Sequence, residues 1–319
     1  MSIKIKKTDA GARLDLWLTK NFSLGLSRSK IQKSIKSGGI LVNEKSITPH
    51  YILKNGDKIK IDNADKKNTG DGQKINLQKK ILPDLNIIKE TDDYLIVNKP
   101  AGLIVHESGL VKKVNLAELL LQKFPGLSKV GEDPERPAIV HRLDRDASGL
   151  LVIPKNQTMF DHLKKEFQAR RVKKEYVALV YGRLSKDEDT INFPIDRSRD
   201  GYRMAAHPVL NKGEQNTLGK RAITELEVLQ KYVNYTLIKL RTKTGRTHQI
   251  RVHLSAYGHP LVGDDLYGTA RTKILNKKLN PGRIFLLAKK LSFADLSGKL
   301  KEYEVEMPED LLELLTKIK

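Results

Sequence analysis

Between Asn63 and Lys80 the chain reads Asn-Ala-Asp-Lys-Lys-Asn-Thr-Gly-Asp-Gly-Gln-Lys and onward, with Ile75 and Leu77 as its large apolar residues. A stretch of this kind buries too little apolar surface to offset the entropy of ordering it, and it reads as a flexible linker. Residues 1–62 on one side and 81–319 on the other must therefore each build a core of their own. The second piece is long enough to enclose a buried active site. No internal repeat relates the two.

The pieces differ in charge. The 319-residue chain carries 59 Lys and Arg against 38 Asp and Glu, a formal charge of +21. Residues 1–62 hold 13 and 5 of these, a net of +8, and residues 81–319 hold 41 and 31, a net of +10, so the small piece is the more basic per residue. Such a surface attracts polyanions, and nucleic acid is the first partner to consider. Cysteine is absent, which excludes disulfides, thiolate metal sites and thiol nucleophiles, including the cysteine attack used by some RNA-methylating enzymes. Met1–Lys7 lacks an apolar signal core, and no stretch approaches the roughly 18 apolar residues of a membrane span. The expectation is a cytoplasmic protein with no membrane contact.

In the small piece Leu14, Trp17, Leu18 and Phe22 recur at helical spacing behind Asp9. Ser27 is placed to cap a second helix, which carries Ile31 and Ile35 and stops at Gly38-Gly39. Ile40–Asn43 and Ile59–Ile61 read as strands beside turns at Asn43-Glu44 and Asn55-Gly56-Asp57. Arg28, Lys30, Lys33 and Lys36 leave one side of the second helix cationic, which suits RNA phosphates; a merely solvated charged face is the alternative. Taken in order, Arg13–Leu18, Leu26–Ile31, Ser37–Asn43 and Asn55–Asp57 resemble the S4 RNA-binding domain over residues 12–61.

From Leu85 the pattern changes to alternating strands and helices. Ile87-Ile88, Tyr94–Val97, Ala138–Val140, Leu150–Ile153, Tyr176–Tyr181 and Tyr232–Thr242 read as strands. Phe160, Leu163 and Phe167 form the stripe of a helix ending near Arg170. A second helix, with Ile250, Leu254 and Tyr257 inward, is expected to be capped by Thr247 and ended by Gly258.

Several chemistries fail on spacing. Asp144 and Asp146 flank Arg145 beside Arg142, and those fixed cations would repel a metal ion held by the pair. His248 and His253 are five apart, about 140° around a helix, and cannot chelate one ion from a regular element; structural roles are expected for both. Gly213–Arg221 resembles a phosphate loop but has one residue too many and no Ser or Thr after its lysine. No Gly-x-Gly-x-x-Gly opens a helix after a strand, and Ser148-Gly149 lacks the preceding glycine of a hydrolase elbow. What remains is a cofactor-free reaction on RNA with a carboxylate in the working role.

Asn98–His106, His141–Leu150, Lys174–Leu179 and Thr244–His253, with Gly263-Asp264 and Tyr267-Gly268 downstream, resemble the RluA-type pseudouridine synthases in their order. The resemblance implies an α+β chain in which a small S4-like domain precedes a mixed, largely antiparallel-sheet catalytic domain. It implies isomerisation of uridine to pseudouridine, with the N1–C1′ bond broken and the sugar rejoined at C5, and no cofactor. An S4 domain ahead of these motifs resembles the branch that modifies 23S ribosomal RNA, so the implied partner is that RNA or the assembling large subunit, acted on by a monomer. Transfer RNA is the alternative substrate, and a non-catalytic ribosome assembly factor or a metal-dependent nuclease using Asp144 and Asp146 are rival classes. By the same resemblance Asp144 is the catalytic carboxylate, attacking C1′ or C6 or otherwise assisting cleavage. Arg246 is its ion-pair partner, Tyr176 stacks on the flipped base, and Arg142 helps displace the nucleotide from its stack. The chain departs from the family pattern at Glu107, Ala147 and Leu287, none of which removes an assigned group.

Overall fold

The computed structural model describes residues 2–21, 31, 32, 34, 35, 37–61, 85–106, 114–133, 136–198, 203–208 and 219–318. The chain separates into two units, Met1–Lys80 and Ile81–Lys319. The linker assigned to 63–80, the cap at Ser27 and the cations Arg28, Lys30, Lys33 and Lys36 lie outside the described residues.

The first unit is a three-stranded antiparallel sheet, ordered β1 (Ser2–Lys4), β3 (Lys58–Ile61), β2 (Ile40–Val42), with helix α1 (Leu14–Asn21). Its core gathers Leu14, Leu18, Ile31, Ile35, Ile40, Val42 and Ile59, the residues that carried the apolar periodicity. Asn43 and Glu44 both have positive φ, at 51° and 62°, and Val42 and Lys45 exchange backbone hydrogen bonds around them, a tight hairpin turn that asparagine tolerates well. Asp15, wholly buried, is held by two bonds from Arg13 (3.1 and 3.0 Å) and one from Gln32 (2.6 Å), which ties α1 to the segment at residues 31–35.

The second unit is built on a nine-stranded mixed sheet. Its order is β4 (Ile87–Glu90), β5 (Tyr94–Lys99), β6 (Ser148–Pro154), β13 (Leu286–Ala294), β7 (Lys173–Tyr181), β12 (Tyr235–Thr242), β11 (Thr224–Lys231), β8 (Glu188–Ile191), with β14 (Leu300–Glu304) also on β13. A two-stranded ribbon, β9 (Ile195–Arg197) with β10 (Met204–Ala206), lies apart. Every pairing is antiparallel except β6 with β13. β6 is buried along its whole length because both faces of the sheet are covered. Leu151 and Ile153 enter one core, and Leu150 and Val152 the other, which is why the strand reads as one apolar run. Helices α3 (Gln157–Gln168) and α6 (Glu309–Lys317) pack on the second core through Met159, Leu163, Leu311 and Leu314. The first core takes Leu119 and Leu120 from α2 (Leu116–Lys123) and Ile250 and Leu254 from α4 (Gln249–Ala256), together with Tyr176 of β7. Helix α5 (Ala270–Leu279) completes the set.

At the parallel contact Gly149 has φ +118°, and a Cβ there would stand 2.2 Å from the carbonyl oxygen of Ala288. Only glycine lets β6 start so close to β13, and that start fixes where the preceding loop, His141–Ala147, ends.

Two expectations are corrected. Ala138–Val140 is not a strand: Ala138 adopts φ 56° and its N–H donates to the Val130 carbonyl at 2.8 Å, so the segment packs on the core, Ala138 buried and Ile139 and Val140 partly so, but is turned out of any ladder. The cap of α4 is His248, in the left-handed region at φ 54°, rather than Thr247. Gly258 does follow the helix, with φ +90°.

Candidate active site

A cleft of about 550 Å3 opens in the second unit. One wall is His141–Ala147, leading into β6, and another is Thr244–His248, the loop between β12 and α4. Asp144, Tyr176, Arg142 and Arg246, brought forward from the sequence, all line this one cleft.

The Asp144 segment is anchored from beneath. Lys99 is wholly buried at the end of β5, and its ammonium donates to the carbonyls of Pro100 (2.8 Å), Leu103 (2.8 Å) and Arg145 (3.0 Å). Three acceptors match the three donors of an ammonium group. Burial pulls Lys99 down to about 7, against the charges of Asp146 and Asp144. The Gly102 N–H donates to the same Arg145 carbonyl at 2.8 Å, so the Asn98–Gly102 turn and the Asp144 loop share one clasp. Arg283 adds a bond from Nη1 to Ser148 Oγ at 2.9 Å while gripping Asp310 at the start of α6.

The guanidinium beside Asp144 belongs to Arg251, not Arg246. Arg251 Nη1 stands 3.7 Å from Asp144 Oδ2, an ion-pair distance too long for a hydrogen bond. The same guanidinium grips Asp264 with two short bonds, Nε to Oδ2 at 2.7 Å and Nη2 to Oδ1 at 2.9 Å, and lies over the Tyr267 ring at 5.1 Å. Burial alone would weaken the charge on Arg251, but the Asp264 bonds and the charges of Asp264 and Asp144 outweigh it and raise its pKa. Asp264 is 1 % exposed and also accepts the N–H groups of Leu266 and Tyr267 at 3.0 Å each. The arginine is thus oriented by one carboxylate so that it faces another, which keeps its oxygens open to the cleft.

Arg246 points elsewhere. Its Nε donates to the Arg221 carbonyl at 3.2 Å at the exposed edge of the cleft. Gln249 dictates this: its Oε1 accepts from Arg246 N (3.0 Å) and Thr244 Oγ1 (2.8 Å), and its Nε2 donates to Ile223 O and Thr224 Oγ1 (3.0 Å each). The loop is pinned with Arg246 at the rim, and the left-handed turn at His248 starts the helix that carries Arg251 up to Asp144. The expected Asp144–Arg246 pair is therefore replaced by Asp144–Arg251. A sequence signal existed: Arg251, one residue after Ile250 and three before Leu254, falls within the inward stripe of its helix, where an arginine needs a buried carboxylate.

Tyr176, on β7, is 7 % exposed. Burial, and behind it the charge of Asp144, pushes its hydroxyl well above the usual phenol range, so it stays protonated. His248 shares a 2.8 Å hydrogen bond through Nδ1 with the Tyr267 hydroxyl, and burial lowers its pKa. It lines the cleft, whereas His253 is buried away from it, bonded to Thr224 Oγ1 and Phe193 O at 2.9 Å each. Asp146 faces its own neighbour, with Arg145 donating to it at 2.8 and 3.1 Å, so the two aspartates of the loop engage different arginines. Arg142 is exposed at the cleft wall.

A family model described as RNA pseudouridylate synthase matches residues 93–256, and an S4 domain model matches residues 12–59. An uncharacterised RNA pseudouridine synthase of Aquifex aeolicus is 36 % identical over 93 % of this chain and 90 % of its own length. The ribosomal large subunit pseudouridine synthase D of Buchnera aphidicola is 35 % identical over 97 % of this chain and 95 % of its own. Among solved structures, human RNA pseudouridylate synthase domain containing 1 superposes with a TM-score of 0.57 at 30 % identity, covering 70 % of this chain and 84 % of its own. With an S4 domain match preceding a cleft lined by Asp144 and Tyr176, and Arg251 paired with that aspartate, the chain belongs to the family of RNA pseudouridylate synthases.

Proposed function

We propose that this synthase isomerises uridines of large-subunit ribosomal RNA, taking the target nucleotide out of its stack and using Asp144 as the reacting carboxylate. Uracil inside a helix offers neither C1′ nor C5, and extrusion costs a few kcal/mol, which contacts inside the cleft must offset. Asp144 attacks C1′ or C6, or stabilises a cationic sugar, as the N1–C1′ bond breaks; the base is re-presented, C5 bonds to C1′, the C5 proton leaves and N1 takes one up. Arg251 holds the charge balance of Asp144 through both halves of the reaction. Tyr176 stacks on the extruded base, with its protonated hydroxyl near the reacting carboxylate. Arg142, exposed at the cleft edge, fills the space the nucleotide leaves. The S4 domain adds affinity for RNA. Similarity to enzymes named for the large ribosomal subunit supports that substrate over transfer RNA. On this reading the enzyme acts as a monomer in the cytoplasm.

The observation that carries this reading is Asp144 at 16 % exposure, open to the cleft and faced by a buried, doubly anchored arginine. Carbodiimide labelling of product RNA, read as primer-extension stops, tests it. Asp144→Asn is expected to abolish the stops while filter binding persists, and Asp146→Asn to keep the rate within about threefold. Stops made by Asp144→Asn at the wild-type rate would defeat the assignment. Equal loss in both variants together with inhibition by EDTA would favour a metal pair. Mapping total RNA with and without the gene is expected to show the missing pseudouridines in large-subunit RNA; their absence from transfer RNA instead would overturn the substrate reading.

A further inference from the structure

The same cleft is also lined by Lys174, with Phe167, Arg170, His141 and Gly245. Lys174 is the unusual group there. Its ammonium lies over the Phe167 ring at 5.8 Å, and Phe167 in turn stacks on His141 at 4.6 Å and 29°. Among the described residues the Lys174 ammonium makes no hydrogen bond or ion pair, and burial alone lowers its pKa, to about 8, with no carboxylate opposing. His141 cannot serve as an acceptor through Nε2, because that nitrogen already takes the Val152 N–H at 3.0 Å. A half-buried cation that faces a cleft without an anion gains free energy when a ligand supplies the charge.

The backbone of the neighbouring turn sharpens the point. Helix α3 ends with Arg171 N donating to Glu166 O at 3.0 Å around Arg170, which adopts φ 60° at the position where glycine is ordinarily found. This left-handed residue sends two consecutive arginines to different places. Arg171 is spent on Glu166, to which its Nε donates at 3.0 Å, while Arg170 lines the cleft without an ion pair among the described residues. Gly245 stands opposite, and even a Cβ there would come within 3.7 Å of the Lys174 ammonium, so its bare backbone leaves that group uncovered.

We propose that Lys174 and Arg170 form a phosphate subsite that grips one phosphodiester of the RNA strand beside the extruded uridine. The proposal rests on the reading of the cleft as the uridine site. Lys174 takes the phosphate as a point charge from within the cleft, and Arg170 closes on it from the surface. Both act on binding and placement of the strand, not on bond breaking.

The test uses the full-length enzyme and a stem-loop RNA carrying a uridine shown by mapping to be modified, with single methylphosphonates placed in turn at the phosphates flanking it. Dissociation constants and single-turnover rates at saturation are measured for wild type, Lys174→Gln, Lys174→Arg and Arg170→Gln. One methylphosphonate is expected to weaken wild-type binding about tenfold. Lys174→Gln should bind unmodified RNA about tenfold more weakly, be indifferent to that same replacement and keep its saturated rate within about threefold. Lys174→Arg should recover most of the affinity. Because Arg170 is exposed, Arg170→Gln keeps the fold and gives a second reading, a smaller loss that is also blunted by the same methylphosphonate. Wild-type affinity in Lys174→Gln, or losses that simply multiply with every methylphosphonate, would overturn the subsite. A wild-type enzyme that forms no pseudouridine would instead overturn the reading of the cleft on which the subsite rests.

Discussion

At and beneath the floor of the cleft, Asp144 and the buried Arg251, Asp264 and Lys99 behind it each meet a partner from the protein itself: a guanidinium, two carboxylates, an arginine with two backbone N–H groups, and three carbonyls. At the rim Arg142 and Arg170 are exposed, and with Lys174 they face the cleft without an ion pair among the described residues. The floor is finished when the chain folds, and its geometry owes nothing to substrate. The rim is left incomplete, and its charges gain partners when a polyanion arrives. Preorganised charge acts on the reacting atoms, while unpaired charge acts on encounter and affinity. Substitutions at the floor should therefore change turnover, and those at the rim should change binding.

The largest effect that sharpens this contrast is expected at Asp264, which touches no substrate. Asp264→Asn replaces a charged, two-pronged anchor with an amide, and Arg251 loses its aim at Asp144. Single-turnover rates should fall by about a hundredfold while RNA affinity holds. Affinity falling with the rate would merge floor and rim. Next comes Lys99, where Lys99→Met leaves the Pro100 and Leu103 carbonyls without the ammonium and Arg145 O with the Gly102 N–H alone, and should lower stability by about 2 kcal/mol, read by chemical denaturation. An unchanged midpoint would show that the loop is clasped by other means. The smallest effect belongs to the N-terminal piece. Removing residues 1–62, with their net of +8 from 13 cations and 5 acids, should weaken RNA binding about tenfold and flatten its salt dependence, with little change at saturating substrate. An unchanged salt slope would remove the S4 unit from the account of affinity.

Much of the scaffold was legible because it obeys local rules. β6 and β7 are covered on both faces and so read as apolar runs, and α3 shows its stripe through Phe160 and Leu163. The outer strands β8, β11 and β14 are only partly buried, mix charged residues among their apolar ones and give no such signal. The residue types of the site were legible as motifs, but the choice between two arginines was not. Arg246 and Arg251 lie five apart, and which one reaches Asp144 depends on a left-handed histidine, a buried glutamine amide and a carboxylate 13 residues downstream. Spacing cannot report these. Ala138 was misread for a related reason, since a positive φ at an alanine is a tertiary imposition that an apolar triplet does not announce.

The most direct test sets the two arginines against each other in single-turnover assays on the same RNA, as Arg251→Lys and Arg246→Lys. Lysine keeps the charge at both positions and loses the planar fork, so the comparison isolates orientation. The account predicts a fall of about a hundredfold in rate for Arg251→Lys with affinity nearly intact, and a change within about threefold for Arg246→Lys. A fully active Arg251→Lys enzyme beside a crippled Arg246→Lys enzyme would contradict it.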